Sequence, residues 1–407
     1  MNAPEIFRHI GQLVTMNPQA KGQTASFAMM PNAALVVEGG QVTWSGSETD
    51  LPIDYQNLPF TDCKGRLVTP GLVDAHTHLL YAGNRSHEVA LRAEGKSYLQ
   101  ILEAGGGILS TVRQTRQASD HDLRAGVQKR LQTALSHGTT TMEIKTGYDL
   151  TAKGELRLLQ ILKEVQKSSP MRIVITCLAA HAVPPEYQGR GMDYLDHLKV
   201  SVLPHIADLA EFVDIFCEAG VFSVEESRSY LETAQQLGLR IKLHVDELQD
   251  GQGAELAADL HAASADHCAM TGLRGIEALA RAGVPAVILP GTAGYLHHGG
   301  MADARALIDR GVSVAIGSDG NPGSSPTESL AMIMPWAAAW LHLVPEEVWA
   351  GMTVMGARAL DLKDRGGLTP GMAADFLVWD TDDYRYPCYH YGSNLVQEVY
   401  LHGTRVV

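Results

Sequence analysis

Two histidines one residue apart close an apolar run, Pro70-Gly71-Leu72-Val73-Asp74-Ala75-His76-Thr77-His78, and their spacing suggests chemistry. Side chains two apart on a strand point to the same face, so both rings can offer nitrogens to one cation. The pair alone is a weak signal, because the same pattern arises from core or surface histidines. Other polar residues close apolar runs in the same way: Lys242-Leu243-His244-Val245-Asp246-Glu247, Asp266-His267 and Gly317-Ser318-Asp319. If those runs are strands of one barrel, their ends converge on a single mouth. His76, His78, His244 and Asp319 would then form a site for one divalent ion, with a position open for water.

The elements that must position these residues follow from periodicity. Between residues 66 and 365, eight short runs rich in β-branched and aliphatic residues (72–78, 139–145, 173–181, 212–218, 240–247, 263–267, 286–290 and 312–319) alternate with helical patterns, among them 121–137, 152–167, 224–237, 273–282 and 301–310. This alternation predicts an α/β protein whose residues 66–365 form a (β/α)8 TIM-like barrel, a doubly wound sheet being the alternative. Residues 1–65 and 366–407 instead carry strand-like pieces at 34–38, 41–45, 375–379 and 396–401. They predict a small β-sandwich domain built from both chain termini.

Composition narrows the function classes. The 407 residues hold 32 Lys and Arg against 46 Asp and Glu, a formal charge of −14 that disfavours nucleic acid and anionic membrane surfaces as partners. A small-molecule substrate is the expected partner. The runs 282–302 and 329–345 lack charge but are broken by glycine or proline, and read as buried core rather than membrane spans. Five widely spaced cysteines with no CxxC pair argue against a disulfide framework, and the first residues show no signal-peptide pattern. A cytoplasmic location is expected.

These residues resemble the amidohydrolase superfamily, whose pattern is His-x-His after strand one, His after strands five and six, and Asp after strand eight. The stretch Pro370-Gly371-Met372-Ala373-Ala374-Asp375 is also similar. Within the superfamily the chain most resembles the imidazolonepropionase family. The resemblance rests on His76-Thr77-His78-Leu79 with Gly83 and Arg85, Gly105-Gly106-Gly107-Ile108, Glu143-Ile144-Lys145-Thr146-Gly147-Tyr148, Ala180-His181-Ala182-Val183-Pro184-Pro185, His244-Val245-Asp246-Glu247, Ser264-Ala265-Asp266-His267 and Asp319-Gly320-Asn321-Pro322-Gly323-Ser324.

The resemblance implies one divalent or trivalent ion per chain, zinc or iron, held by His76, His78, His244 and Asp319. It implies substrate contacts from Arg85, Tyr148, His181, Glu247, Asn321, Gly323 and Ser324, with Tyr98 and His267 at further pocket positions. The implied reaction is hydrolysis of the cyclic amide 4-imidazolone-5-propanoate to N-formimidoyl-L-glutamate, in histidine degradation. Together with the 329–343 segment, it is also consistent with a homodimer.

That substrate has a flat ring with an amide-like carbonyl and a propionate tail. Arg85 can grip a carboxylate through two parallel hydrogen bonds, and Tyr148 can add a hydroxyl. Glu247, in the turn after His244, can orient or deprotonate a water or carry a proton to the ring nitrogen; His267 can stabilise an oxyanion. Catalysis is expected to be divided among Glu247, His267 and Asp319.

Each residue has a plainer alternative: Arg85 as a surface ion pair, Tyr98 and Tyr148 as packing residues, His181 as the cap of a turn. The glycines 105–107 lack the Lys-Ser/Thr of a phosphate loop and read as a lid or a close backbone approach. His297-His298 read as solvated, and Lys145 as structural or ion-paired. Two other readings of the whole chain compete: a nucleobase deaminase, which would release ammonia, and a catalytically silent barrel, which would bind no metal.

Overall fold

The computed structural model describes residues 3–20, 22–96, 100, 106–296 and 300–407. Eight parallel strands stand side by side in sequence order: Leu72–Asp74, Thr139–Lys145, Arg172–Ala180, Phe212–Cys217, Arg240–Ile241 continuing as Leu243–Val245, Ala265–His267, Ala286–Ile288 and Val314–Ile316. The ring closes beyond the ends of the first and eighth strands, where the Asp319 amide donates to the His76 carbonyl (3.0 Å) and the His78 amide to that of Gly320 (2.9 Å). The result is the expected (β/α)8 barrel.

The second strand shows how sequence sets the two faces. Thr139–Lys145 is buried throughout. Its odd-numbered residues, Thr139, Thr141, Glu143 and Lys145, share one face, and Thr140, Met142 and Ile144 share the other. Between strands run helices with ordinary start signals: Ser119 caps Asp120–Ser136, Thr151 caps Ala152–Ser168, and Ser223 with Glu226 forms a capping box at Val224–Gln236.

The chain termini build a second, mixed sheet. Its order is Thr404–Arg405, Val396–Leu401, Phe376–Trp379, Leu67–Pro70, Glu5–Val14, Met29–Glu38 and Gln41–Ser47, with Thr61–Asp62 beside Glu5–Val14. This is one continuous sheet that curls over its own core. Phe7 meets Phe376 and Tyr400 at ring separations of 4.8 and 5.1 Å, and the Val42 amide donates to the Met372 carbonyl. Leu67–Pro70 is the seam: it pairs with both terminal segments and runs straight into the barrel strand that precedes His76 and His78. Among the described residues, no helix is long and apolar enough to cross a membrane.

Candidate active site

The four residues expected to bind metal meet at the barrel mouth. His76 Nε2 lies 3.2 Å from His78 Nε2, which is 3.5 Å from His244 Nε2. Asp319 Oδ1 stands 3.6 Å from the first of these nitrogens and 3.4 Å from the second. All four side chains are buried. Asp319 is held with φ at +51° and His267 at +72°, left-handed conformations that side-chain-bearing residues adopt uncommonly.

The charge state of the cluster follows from what lies beneath it. His76 Nδ1 is 2.7 Å from Asp266 Oδ2, and His244 Nδ1 is 3.0 Å from Asp214 Oδ2, though off the line of a good hydrogen bond. Burial pushes the Asp266 carboxyl up, but Lys242 and Lys145 outweigh it and hold the group down at about 2. An ionised carboxylate only accepts, so His76 donates from Nδ1 and carries its lone pair on Nε2. Burial, reinforced by the Lys145 charge, pushes His76 and His244 well below the ordinary imidazole range, and burial with neighbouring rings does the same to His78. Neutral imidazoles facing a carboxylate oxygen, with the buried His78 Nδ1 lacking a hydrogen-bond partner among the described residues, form an electron-rich concavity. This donor set fits a metal cation.

Under the cluster, Lys145 Nζ reaches Asp214 (2.8 Å), Glu143 (2.9 Å) and Asp266 (3.2 Å), while Lys242 Nζ reaches Glu143 (2.9 Å) and the Ala75 carbonyl (3.1 Å). Lys145 is thus the ion-paired residue expected.

A cavity of about 320 Å³ opens over this floor and is lined by Arg85, Tyr148, His181, Glu247, His267, Asp319, Asn321, Gly323 and Ser324 among others. The His181 ring stacks on His78 (5.0 Å, 17°) and lies 5.4 Å from Tyr148. His267 Nε2 is 3.7 Å from Glu247 Oε2. The turn carrying Glu247 is pinned from the fourth strand: Glu218 Oε2 accepts the amides of Glu247 (3.0 Å) and Leu248 (3.1 Å). Burial, then the charges of Asp319 and Glu218, push the Glu247 carboxyl up to about 8. Burial also raises Asp319 to about 7, against the Thr292 hydroxyl that donates to its Oδ2 (2.5 Å). His181 and His267 are pushed down to about 4 by burial.

In the loop after strand eight, Asn321 Oδ1 accepts the amides of Gly323 (2.7 Å) and Ser324 (2.8 Å), and its Nδ2 donates to the Asp319 carbonyl (2.7 Å). Asn321 therefore shapes the wall as well as lining it. Arg85 lines the same cavity with part of its fork engaged, since Nε and Nη2 each donate to Glu88 at 2.8 Å. Tyr98, Gly105 and the pair at 297–298 lie outside the described residues.

Sequence reasoning passed over Glu88, Arg92, Asp214, Lys242 and Thr292 as site residues. Arg92, Asp214, Lys242 and Thr292 reach partners distant in sequence or on another strand, Glu88 sits only three residues after Arg85 and reads as an ordinary helix ion pair, and only the even register of Lys242 with His244 signalled a shared face.

The model of the amidohydrolase family matches residues 67–406. An imidazolonepropionase of Bacillus velezensis (strain DSM 23117 / BGSC 10A6 / LMG 26770 / FZB42) is 43% identical over 99% of this chain and 96% of its own length. One of Bacillus cereus (strain AH187) is 44% identical over 97% and 95%. Among solved structures, atrazine chlorohydrolase from Arthrobacter aurescens TC1 complexed with zinc superposes with a TM-score of 0.71 (17% identity, 99% of this chain and 95% of that one). Guanine deaminase from C. acetobutylicum superposes at 0.69 (16% identity, all of both chains). These two distant neighbours share the fold, whereas the nearer relatives align with this chain from end to end. The chain belongs to the amidohydrolase family and, within it, to the imidazolonepropionase family.

Proposed function

We propose that this chain hydrolyses the ring C–N amide bond of 4-imidazolone-5-propanoate, giving N-formimidoyl-L-glutamate in histidine degradation. The observation that carries this reading is a single cavity lined both by the histidine–aspartate cluster and by Arg85, so that a ring carbonyl and a carboxylate tail find partners in one space.

His76, His78, His244 and Asp319 would hold the metal, zinc or iron, one ion per chain. When bound, such an ion lowers the pKa of a coordinated water from 15.7 toward about 7 and so supplies hydroxide at neutral pH. The chain's own residues do the rest. Arg85 binds the propionate with the part of its fork that Glu88 leaves open, and Tyr148 and His181 border the ring. Glu247, whose carboxyl burial pushes well above the ordinary carboxylate range so that it can both hold and give up a proton, takes a proton from water and returns it to the departing ring nitrogen. His267, beside Glu247, steadies the developing oxyanion.

The location we infer is cytoplasmic, supported by five buried free cysteines. For the assembly, Met332 and Trp340 expose apolar surface within 329–343 and support a homodimer, which sedimentation would test.

The function is tested by following the ultraviolet absorbance of freshly generated 4-imidazolone-5-propanoate, with metal content measured on the same sample. Absorbance loss that stops on chelation and returns with metal is the expected result. No turnover by protein carrying its metal would overturn the substrate assignment, and ammonia release from a nucleobase would replace it with deamination.

A further inference from the structure

We propose that Glu88 is a positioning residue for the substrate carboxylate, holding Arg85 so that the remainder of its guanidinium serves the cavity; this rests on the hydrolysis proposed above. Glu88 opens the short helix Glu88–Ala93 yet is almost completely buried, at 1% exposure. Its carboxylate collects four donors: Arg85 Nε and Nη2 at 2.8 Å each, Arg92 Nη2 at 3.1 Å and the Gly107 amide at 2.7 Å. Among the described residues, Arg85 makes side-chain hydrogen bonds to Glu88 alone. Taking Nε and one hydrogen of Nη2 leaves Nη1 and the second Nη2 hydrogen, the end-on pair of the fork, for a second carboxylate.

The other side of the guanidinium is fixed independently. A Cβ at Gly323 would stand 1.9 Å from Arg85 Nη1, so this loop position must be glycine for the arginine to lie where it does. Arg92 closes the bracket, since the Nη2 that meets Glu88 also donates to the Gly323 carbonyl at 3.0 Å. One buried carboxylate thus ties the segment after the first strand to the start of the helix Gly107–Gln117 and, through Arg92, to the loop that follows Asp319. Two guanidiniums against one carboxylate leave one positive charge, which matches a substrate with a single carboxylate tail. Burial would neutralise Glu88, but the two arginines outweigh it and hold the group below the ordinary carboxylate range.

The test compares wild type, Glu88→Gln, Glu88→Asp and Gly323→Ala on 4-imidazolone-5-propanoate and on its methyl ester, with metal content and thermal unfolding as controls. For Glu88→Gln, KM for the acid is expected to rise roughly tenfold to a hundredfold while kcat stays within about threefold. The ester's kcat/KM should change little, so the preference for acid over ester collapses. Glu88→Asp, which keeps the charge but shortens its reach to Arg85, should give the same signature in weaker form and carries the test if Glu88→Gln does not fold, while Gly323→Ala should raise KM for the acid by crowding Arg85 Nη1. Equal losses on acid and ester, a fall in kcat at constant KM, or an unchanged or lowered KM for the acid would overturn the positioning role. An inactive wild type would instead remove the function and this inference together.

Discussion

Of the side chains around the cavity, Glu247 is the one whose removal separates chemistry from binding. Its turn is held through backbone amides by Glu218, so a change in its own side chain leaves that anchor in place. Glu247→Gln keeps the shape and loses the exchangeable proton. We expect kcat to fall by about 10²- to 10⁴-fold, the range of a general acid–base residue, with metal content and unfolding temperature unchanged. Turnover near the wild-type rate would shift the proton work to His267 or Asp319. The histidine–aspartate cluster was legible in the sequence because each member closes an apolar run, and in a barrel strand ends share a mouth. Glu88 and Thr292 were not: Glu88, three residues after Arg85, reads as an ordinary surface pair whose burial only the fold reveals, and Thr292 meets Asp319 only in space. A glutamate on a short helix reads as a solvated charge, and a threonine after a strand reads as a cap.

Among elements, the eight-fold alternation was legible from periodicity, and the sheet order follows the sequence without a crossing. The ends were less so. The run 72–78 is regular strand only to Asp74, since the residues beyond it turn their backbone groups to Gly320, Asp319 and, through the Thr77 carbonyl, Lys145. The 301–310 pattern shortens to Ala304–Asp309, where Asp303 supplies the cap. What no strand announced alone is the ionic layer they form together. Glu143 and Lys145 come from the second strand, Asp214 from the fourth, Lys242 from the fifth and Asp266 from the sixth, all fully buried. Removing one member of such a layer leaves charge uncompensated in the interior, which costs about 3–5 kcal/mol. Lys145→Met is therefore expected to lower unfolding free energy by about that much in denaturant titration. Arg124→Ala, which breaks an exposed pair with Glu164, should cost less than about 1 kcal/mol. A Lys145→Met protein as stable as wild type would show that hydration or protonation compensates the layer.

For the whole molecule, the five cysteines give a simple check on packing. All are buried and unpaired; burial pushes Cys63 and Cys177 up to about 12 and Cys217 to about 11, and raises Cys268 and Cys388 as well. A disulfide-exchange reagent at pH 8 should find no thiol in the native protein and five after denaturation. Fast reaction of one thiol without denaturant would reveal a local opening.

The termini make the larger demand. They contribute no residue to the histidine–aspartate cluster, yet Leu67–Pro70, which leads into the strand before His76, finds its neighbours in Glu5–Val14 and Phe376–Trp379. Phe376, Leu377, Val378, Trp379, Val396, Val399 and Leu401 are all buried. Gly138, before the second barrel strand, packs so closely on the terminal segment that a Cβ there would lie 2.7 Å from Leu377 Cδ1. Each such side chain contributes roughly 1.5–3 kcal/mol by its burial, so the seven together, gross, match or exceed the net stability of about 5–15 kcal/mol of a folded domain. Deleting residues 366–407 should therefore abolish cooperative folding and metal retention together, read by circular dichroism, calorimetry and metal analysis. A truncated chain that melts cooperatively with its metal bound would show that the barrel stands without the C-terminal segment; loss of both would show that this segment holds the strand leading to the first two candidate ligands.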